Sequence, residues 1–414
     1  PSHLVQSLFK KVLQKLLAET QDDDDKSEDK IRTLLGLAQA LVASQTLDEA
    51  SVGLLYRALK PLVVSSVSTG TQKRAYHVLA EICRYHADFA AKNYDVMDFM
   101  MDSIMTCPVA ARHMRLKCLT HVVQRGLNAN NKKHLDTLSK MLGEVLLCLK
   151  DANGKTREAA YQLLLAMCMA RKDNLKSFFH SVVAALGAQS SHMRSAAVMA
   201  LSRLTFEYAR EYVEVQELLP SLLQTVLVLF DENAREVIKS VVGFVRVSVA
   251  AMNATQLEPL LPGVVGGLLK YHKGKDRFRS KIKIILKKLV RNYGYDRLIP
   301  LVPEGDVRLL THMRKLGERD ARRKKAAAAD DATAKKTVFT KRTGAFDDMM
   351  ESDEEDSDDG RTLMTGITGF TKLTGKGGGP KTVATRKSRK DGTQSTIMEG
   401  ETTKTDATVG TGPR

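Results

Sequence analysis

The sequence predicts an all-α protein, a HEAT/armadillo-like α-solenoid followed by a largely disordered C-terminal tail. Three observations support this prediction: the composition, an internal repeat, and the loss of apolar periodicity beyond residue 316. Of the 414 residues, 43% are hydrophobic, only 5% are aromatic and none is Trp. The apolar residues are mainly Leu, Val, Ala, Ile and Met, which favours packed helices over a β-sandwich or barrel.

The repeat is a short phrase in which an arginine, preceded by polar or basic residues, is followed by small and apolar residues. Successive copies are 41, 42, 37, 41 and 44 residues apart. A period near 40 with two amphipathic helices per unit is typical of HEAT and armadillo repeats, because each helix pair buries its apolar face only against its neighbours. The six arginines are Arg74, Arg115, Arg157, Arg194, Arg235 and Arg279.

These arginines have two interpretations. In the first, the arginines line one face of the solenoid and bind phosphates. In the second, each arginine pairs with an acid of the neighbouring repeat. The second role is the more common one, and we favour it. Tyr76 and Tyr161 follow the helical spacing of the repeats and are predicted to lie in the core.

The apolar periodicity divides the chain into two regions. Residues 1–316 are predicted to form the repeat region, with a basic final repeat and cap at 262–316. Residues 317–414 mix charge blocks with Gly, Thr and Ser, a composition that predicts a disordered charged tail. The sequence starts at Pro1 directly in a helical pattern, so we expect a C-terminal piece of a longer protein.

The formal charge of +16 is concentrated in the final repeat and the residues after it. Residues 270–325 contain 19 Lys and Arg against six Asp and Glu. Such an asymmetry indicates a polyanionic partner.

One predicted helix, residues 277–293, carries much of this charge. Apolar and basic side chains separate onto two arcs, with Arg279 and Ile284 as the exceptions, and no acid lies between Arg277 and Arg291. Like charges so close together repel unless a polyanion neutralises them, which predicts contacts with nucleic-acid phosphates. An acidic protein surface or a helix-binding partner are the alternatives. The candidate RNA-binding residues are Lys275, Arg277, Arg279, Lys281, Lys283, Lys287, Lys288 and Arg291.

The same segment resembles a known family. The basic core FRSKIK at Phe278–Lys283, the phrase KLVRNYGY at Lys288–Tyr295, Pro303 and LLTHMRK at Leu309–Lys315 resemble the C-terminal signature of the ribosomal RNA-processing protein 12 family. The resemblance is close over about 60 residues and diffuse over the repeats.

The resemblance implies a large helical-repeat protein of the nucleolus and nucleus. It implies association with early small-subunit pre-ribosomes, the small-subunit processome, and with nuclear export of pre-ribosomal particles. Because the family has no known catalytic site, it implies no catalytic residues. The partners expected from it are pre-ribosomal RNA, ribosome assembly proteins and the nuclear transport machinery, with shuttling to the cytoplasm.

The tail contains two candidate signals. A bipartite basic cluster typical of nuclear import is formed by Arg322, Arg323, Lys324 and Lys325, followed by Lys335 and Lys336. In the acidic block ESDEEDSDDG, Ser352 and Ser357 directly precede acids, a context that favours acid-directed kinases. Phosphorylation adds up to about two negative charges per site, so the block would then compete with RNA for the basic helix.

Nothing in the sequence predicts an enzyme, a metal site, a cofactor or a small-molecule substrate. The five cysteines form no CxxC pair and are interpreted as reduced core thiols. The segment GKGGGPKT at Gly375–Thr382 has Pro380 where a phosphate-binding loop needs glycine. The apolar runs look shorter than the roughly 20 residues of a membrane helix, so no membrane partner is expected.

Two functions remain as hypotheses. The favoured one is a non-enzymatic scaffold of pre-ribosomes that engages RNA and proteins through its basic final repeat. The alternative is an importin-like transport receptor or adaptor that binds protein cargo or a small GTPase, in which the basic segment only directs import.

Overall fold

The computed structural model describes residues 2–20, 25–64, 68–93, 95–103, 107–127, 131–272, 278–330 and Phe346. The chain divides into two compact units, Pro1–Asp356 and Ser357–Arg414, and all of the described residues belong to the first.

Within the described residues the secondary structure is entirely helical, with 18 α-helices, six short 3-10 segments and no strand. The α-helices are α1 Ser2–Glu19, α2 Asp25–Ala43, α3 Glu49–Val64, α4 Thr69–Tyr85, α5 Ala87–Lys92, α6 Asp95–Asp102, α7 Arg112–Gly126, α8 Lys132–Cys148, α9 Gly154–Met169, α10 Leu175–Ala184, α11 Ser191–Tyr208, α12 Val213–Leu227, α13 Arg235–Ala251, α14 Ala254–Leu257, α15 Leu261–Lys270, α16 Arg279–Tyr293, α17 Tyr295–Leu298 and α18 Val307–Asp330.

The helices pack in two layers. Helices α2, α4, α7, α9, α11, α13 and α16 form one layer in which each helix contacts the next, and we call this the second-helix layer. The other layer contains the helices that precede them in each pair, including α1, α3, α8, α10, α12 and α15. This order of helix pairs confirms the predicted HEAT/armadillo-like α-solenoid.

Several helix starts in the repeats are fixed by side-chain caps. Asn131 accepts a hydrogen bond from the backbone N–H of Lys133 at 2.9 Å, and Asn153 accepts one from Lys155 at 3.0 Å. Asn253 forms a reciprocal capping box with Gln256 at the start of α14. Such caps satisfy backbone donors that the first helical turn leaves unpaired.

The core runs along the interface between the layers. On α11 nearly every residue from Ser195 to Thr205 is buried, because this helix has neighbours on several sides. Tyr76 and Tyr161 are buried, as predicted. The five cysteines are free and four of them are buried. Burial raises the pKa of the Cys168 thiol to about 12, which keeps it protonated and unreactive.

The last helix of the described residues extends past the sequence-based boundary at residue 316. Helix α18 continues to Asp330, because its later turns are rich in Ala, Lys and Arg, which are strong helix formers. Gly294 ends α16 at a φ of +82°, a conformation that glycine adopts without strain, as the predicted cap requires. Apart from Phe346, the tail beyond Asp330 lies outside the described residues.

The expectation that every apolar run is short was wrong. Among the described residues, one helical segment, Val213–Asp231, has the length and apolar character of a membrane span. Glu217 and Gln224 interrupt the apolar run in the sequence. In the structure the segment is α12 with its 3-10 extension, and Leu219, Leu223 and Val226 are fully buried in the solenoid.

Candidate nucleic-acid interface

The basic final repeat is built on α16. Ile282, Ile285 and Leu289 face the core and are buried, whereas Arg279, Lys287 and Arg291 are exposed. The exposure of Lys287 and Arg291 opposite the buried apolar residues is the separation that the helical spacing predicts. Arg279, an exception in the helical projection, is exposed as well. Two of the candidate RNA-binding residues, Lys275 and Arg277, lie outside the described residues.

Lys281 does not lie on the solvent side, and its predicted placement was wrong. Its exposed fraction is only 4%. Lys281 lies one helical turn before Ile285, and residues four apart share a face, so packing of the apolar side covers this lysine as well. Lys283 and Lys288 are partly buried. Of the five described lysines and arginines that precede Arg291 in the candidate set, only Arg279 and Lys287 are exposed.

A cluster of cations extends from α16 onto the two preceding repeats. The pKa of Lys288 is lowered first by burial and then by the charges of Arg291, Arg210 and Arg246. Arg210 follows the end of α11, Arg246 belongs to α13, and Lys288 and Arg291 belong to α16. We call these four residues the terminal basic surface. A lysine whose charged form is disfavoured by neighbouring cations is stabilised when a polyanion neutralises those charges.

Sequence reasoning missed Arg210 and Arg246 because it looked along one helix. A signal was nevertheless present: Arg210, Arg246 and Lys288 are 36 and 42 residues apart, close to the repeat period. Residues at the same position of consecutive repeats lie side by side in a solenoid.

A second basic region lies on α4, α7 and α9 in the middle of the chain. Two adjoining clefts of about 700 and 790 Å³ share the residues His77, His113 and Lys155. Five further cations line them, Arg32, Lys73, Arg74, Arg84 and Lys117. We call three of these, together with the three shared residues, the central basic groove. Its members are Lys73, Arg74, His77, His113, Lys117 and Lys155.

The histidines of the central basic groove are held neutral. Burial lowers the pKa of His113, and the charges of Lys117, Lys73 and Lys155 lower it further. Burial also lowers the pKa of His77, against a smaller opposing effect of Glu81. Within the described part of the chain, Nδ1 of each ring is buried and has no hydrogen-bond partner.

Three of the six repeat arginines have structural roles, and two of them, Arg115 and Arg194, pair with an acid of the neighbouring repeat as favoured from the sequence. Arg194 donates to both carboxylate oxygens of Glu232 in the following repeat, at 2.7 and 2.8 Å. Arg115 forms an ion pair with Glu144 on α8. Arg157 donates to the main-chain carbonyl of Asp151 at 2.9 Å. The other three repeat arginines, Arg74, Arg235 and Arg279, are exposed, and Arg74 lines the central basic groove.

The predicted import and phosphorylation residues are mostly beyond the described structure. Arg322 is an exposed residue of α18, and Arg323, Lys324 and Lys325 continue the same helix. Lys335, Lys336, Ser352 and Ser357 lie outside the described residues. Among the residues that the structure does describe, no group of three His, Cys, Asp or Glu side chains is arranged to hold a metal ion.

Stacked helix pairs with charged surfaces on the second-helix layer define this chain as a HEAT/armadillo-type α-solenoid. No family model matches it. Ribosomal RNA-processing protein 12 of Saccharomyces cerevisiae is 27% identical over 336 residues, which cover 74% of this chain and 27% of the relative. The RRP12-like protein of Homo sapiens is 30% identical over 346 residues, or 80% of this chain and 25% of the relative. The chain is therefore homologous to the ribosomal RNA-processing protein 12 family along most of its length, which confirms the resemblance.

The chain spans only about a quarter of the length of these relatives. Solved structures with a similar arrangement include the complex of Kap95p with RanGDP, at a TM-score of 0.44 and 12% identity, covering 81% of this chain and 40% of that one. A designed armadillo repeat protein matches at a TM-score of 0.27 and 17% identity, over 67% of this chain and 98% of that one. With scores this low, the fold assignment rests on the helix order and packing of this chain.

Proposed function

We propose that this chain is a non-enzymatic scaffold in ribosome assembly. In this role it supports pre-ribosomal RNA processing in early small-subunit pre-ribosomes and the nuclear export of those particles. Its partners are pre-ribosomal RNA, ribosome assembly proteins and the nuclear transport machinery, and it acts in the nucleolus and nucleus. The names of the relatives support the RNA-processing role, and the terminal basic surface supports contact with RNA.

The observation that carries the RNA contact is the cluster of Lys288, Arg291, Arg210 and Arg246. Its charges come from three consecutive second-layer helices or their ends, so they follow the direction in which the repeats stack. A row of cations in this arrangement suits a phosphate backbone, whose charges also repeat at regular intervals. Phosphate contacts fix position and orientation without reading sequence, which is what a scaffold requires.

The central basic groove adds a second place for phosphates. Lys73, Arg74 and Lys155 are exposed cations there, and His77 and His113 present polar edges whose neutral state avoids further repulsion. Two basic regions on one solenoid allow a folded RNA, or an RNA and an acidic protein, to be held at once. A long surface of this type is the usual binding device of helical repeat proteins.

The tail residues contribute to localisation and regulation in this proposal. The cluster from Arg322 to Lys325, together with Lys335 and Lys336, directs nuclear import. Phosphorylation of Ser352 and Ser357 increases the negative charge of the acidic block, which then competes with RNA for the basic residues of the final repeat.

Ultraviolet crosslinking of the chain in nuclear extract, with sequencing of the attached RNA and mapping of the crosslinked peptides, tests the proposal. We expect pre-ribosomal RNA attached to peptides of α11, α13 and α16. Charge reversal of Arg210 and Arg291 to Glu should remove these crosslinks. Lys140→Glu, at an exposed lysine of α8 in the other layer, is the matched control and should retain them.

The importin-like alternative predicts a different result. An adaptor would yield protein partners but no RNA crosslinks, and its partners would persist after charge reversal at Arg210 and Arg291. Recovery of only protein partners would therefore overturn the scaffold function.

A further inference from the structure

Phe346 is a buried residue of the tail. Fifteen residues, 331–345, separate it from the end of α18, yet its exposed fraction is only 1%. Its neighbours in the sequence are Gly344, Ala345, Asp347 and Asp348, none of which is a large apolar residue. The burial of Phe346 therefore comes from the solenoid against which its side chain packs.

The contacts of Phe346 are on α9 and α11. Its ring lies edge-on to Tyr161 of α9, with centroids 6.0 Å apart, and edge-on to Phe206 of α11, with centroids 5.4 Å apart. Edge-to-face packing at these distances is the favoured geometry of aromatic pairs. Helices α9 and α11 share a smaller interface than the neighbouring pairs α7 and α9 or α11 and α13. The side chain of Phe346 packs at this smaller interface of the second-helix layer.

A buried arginine gives this cleft its chemical preference. The guanidinium of Arg203 lies 4.8 Å from the centroid of the Phe346 ring and 5.1 Å from that of Tyr161. Its exposed fraction is 1%, and it forms an ion pair with Glu207 at 3.1 Å. Among the described residues, Nε and Nη1 of Arg203 have no hydrogen-bond acceptor.

This arrangement explains why the occupant is aromatic. A buried cation needs compensation, and the negative faces of aromatic rings supply it when no acceptor does. An aliphatic side chain in the place of Phe346 would fill space but would leave the Arg203 charge with only Tyr161 and Glu207 beside it. The cleft is therefore selective for a π-system.

The rim of the cleft is suited to negative charge. The space beside Phe346, about 640 Å³, is lined by Lys150, Arg157 and Lys239 as well as by Glu158 and Glu236. Lys150 is already engaged by Glu236 and by Ser195, the latter at 2.9 Å. Lys239 is exposed. Nine of the thirteen residues at 347–359, directly after Phe346, are Asp or Glu.

We propose that the cleft between α9 and α11 is a binding site for a phenylalanine followed by acidic residues, and that Phe346 of this chain occupies it in cis. Tyr161, Phe206 and Arg203 recognise the ring, and Lys239 and Arg157 attract the acids that follow it.

The site is tested with the full 414-residue chain and a fluorescent peptide of residues 340–353. In the wild-type chain the tethered Phe346 competes at an effective concentration on the order of mM. We expect the Phe346→Ala chain to bind the peptide at least about 10-fold more tightly than the wild-type chain, because its cleft is empty. A Phe339→Ala chain, altered at another tail phenylalanine, is the matched control and should bind as weakly as the wild type.

Two further measurements make the test decisive. A peptide with Ala in place of its phenylalanine should lose binding to the Phe346→Ala chain, and hydrogen exchange in α9 and α11 should slow when the unaltered peptide binds. Equal binding of both peptides would mean that charge alone attracts them and would overturn the site. Equal binding by the wild-type and Phe346→Ala chains, or no binding by either, would overturn it as well. None of these readouts involves RNA, so they are independent of the proposed scaffold function.

Discussion

Arg115 donates two hydrogen bonds, from Nε and Nη2, to the main-chain carbonyl oxygen of Met100, at 3.1 and 2.6 Å. The same guanidinium forms an ion pair with Glu144 on α8. One fully buried side chain therefore connects α6, α7 and α8, which belong to adjacent parts of the solenoid. In this repeat the recurrent arginine connects successive helix pairs.

The first prediction concerns the contacts of Arg115 with Met100 and Glu144. Arg115→Leu removes the donors that satisfy the Met100 carbonyl and leaves the Glu144 carboxylate, which is nearly buried, without its partner. Breaking a buried pair in this way lowers the free energy of unfolding by about 3 to 5 kcal/mol. Urea unfolding followed by circular dichroism measures the change. Arg74→Leu, at the exposed arginine of the same repeat position, should stay within about 0.5 kcal/mol of the wild type. Equal effects of the two substitutions would contradict the structural role of Arg115.

The comparison of Arg115 with Arg74 also indicates what the sequence can predict. The period of about 40 residues predicted the solenoid, because each helix pair needs neighbours and the pattern of apolar residues repeats with them. It also favoured pairing of the repeat arginines with acids of the neighbouring repeat, as Arg115 and Arg194 do. It did not reveal that Arg74 faces a groove, since this depends on which acids the neighbouring helices happen to present.

The candidate site was predictable only in part, for the same reason. A helical projection of residues 277–293 separated the exposed Lys287 and Arg291 correctly, but it placed Lys281 in solvent because one helix alone does not show how wide its covered face is. Arg210 and Arg246 join the surface only through repeat stacking. Phe346 gave no signal at all, since a single aromatic in a charged tail has no periodicity.

The second prediction concerns the terminal basic surface. Arg210→Ala and Arg291→Ala should each weaken RNA binding to a similar extent for any RNA sequence, because the proposed contacts are to phosphates and not to bases. Each substitution should also reduce the slope of the logarithm of affinity against the logarithm of salt concentration by about 1. Fluorescence anisotropy between 50 and 300 mM salt, with Lys140→Ala as the control, measures both effects. An unchanged slope in the Arg210 and Arg291 variants would exclude direct phosphate contact.

The third prediction uses two adjacent glycines of α15. A Cβ at position 267 would overlap the ring of Phe230, whereas a Cβ at position 266 has no heavy atom within 4 Å. Gly267→Ala should therefore destabilise the chain by about 1 to 3 kcal/mol through overpacking. Gly266→Ala should stabilise it by up to about 1 kcal/mol, since alanine is the better helix former. We expect the midpoint temperature of thermal unfolding to fall in Gly267→Ala and to rise in Gly266→Ala. Destabilisation by both would show that helix packing at Phe230 is not what selects glycine.

The fourth prediction concerns the pH dependence of stability in the central basic groove. The pKa of His113 in the folded chain is lowered from 6.5 by burial and by Lys117, Lys73, Lys155 and His77. Between the folded and unfolded pKa values the unfolded state binds more protons, so the free energy of unfolding must fall as the pH decreases below about 6.5. Above that pH this contribution is constant.

Replacement of His113 by Gln removes this titrating group while it retains a polar side chain. The loss of stability between pH 7.5 and 5.5 should therefore be smaller in His113→Gln than in the wild type, when both are measured by urea unfolding at fixed ionic strength. The range ends at pH 5.5 because carboxylates begin to take up protons below it. A polyanion bound in the groove acts in the opposite direction, since its negative charge favours the protonated ring. Added RNA should consequently reduce the acid sensitivity of the wild type and have little influence on that of the variant. The same pH dependence in both chains, with and without RNA, would mean that His113 does not titrate in this range.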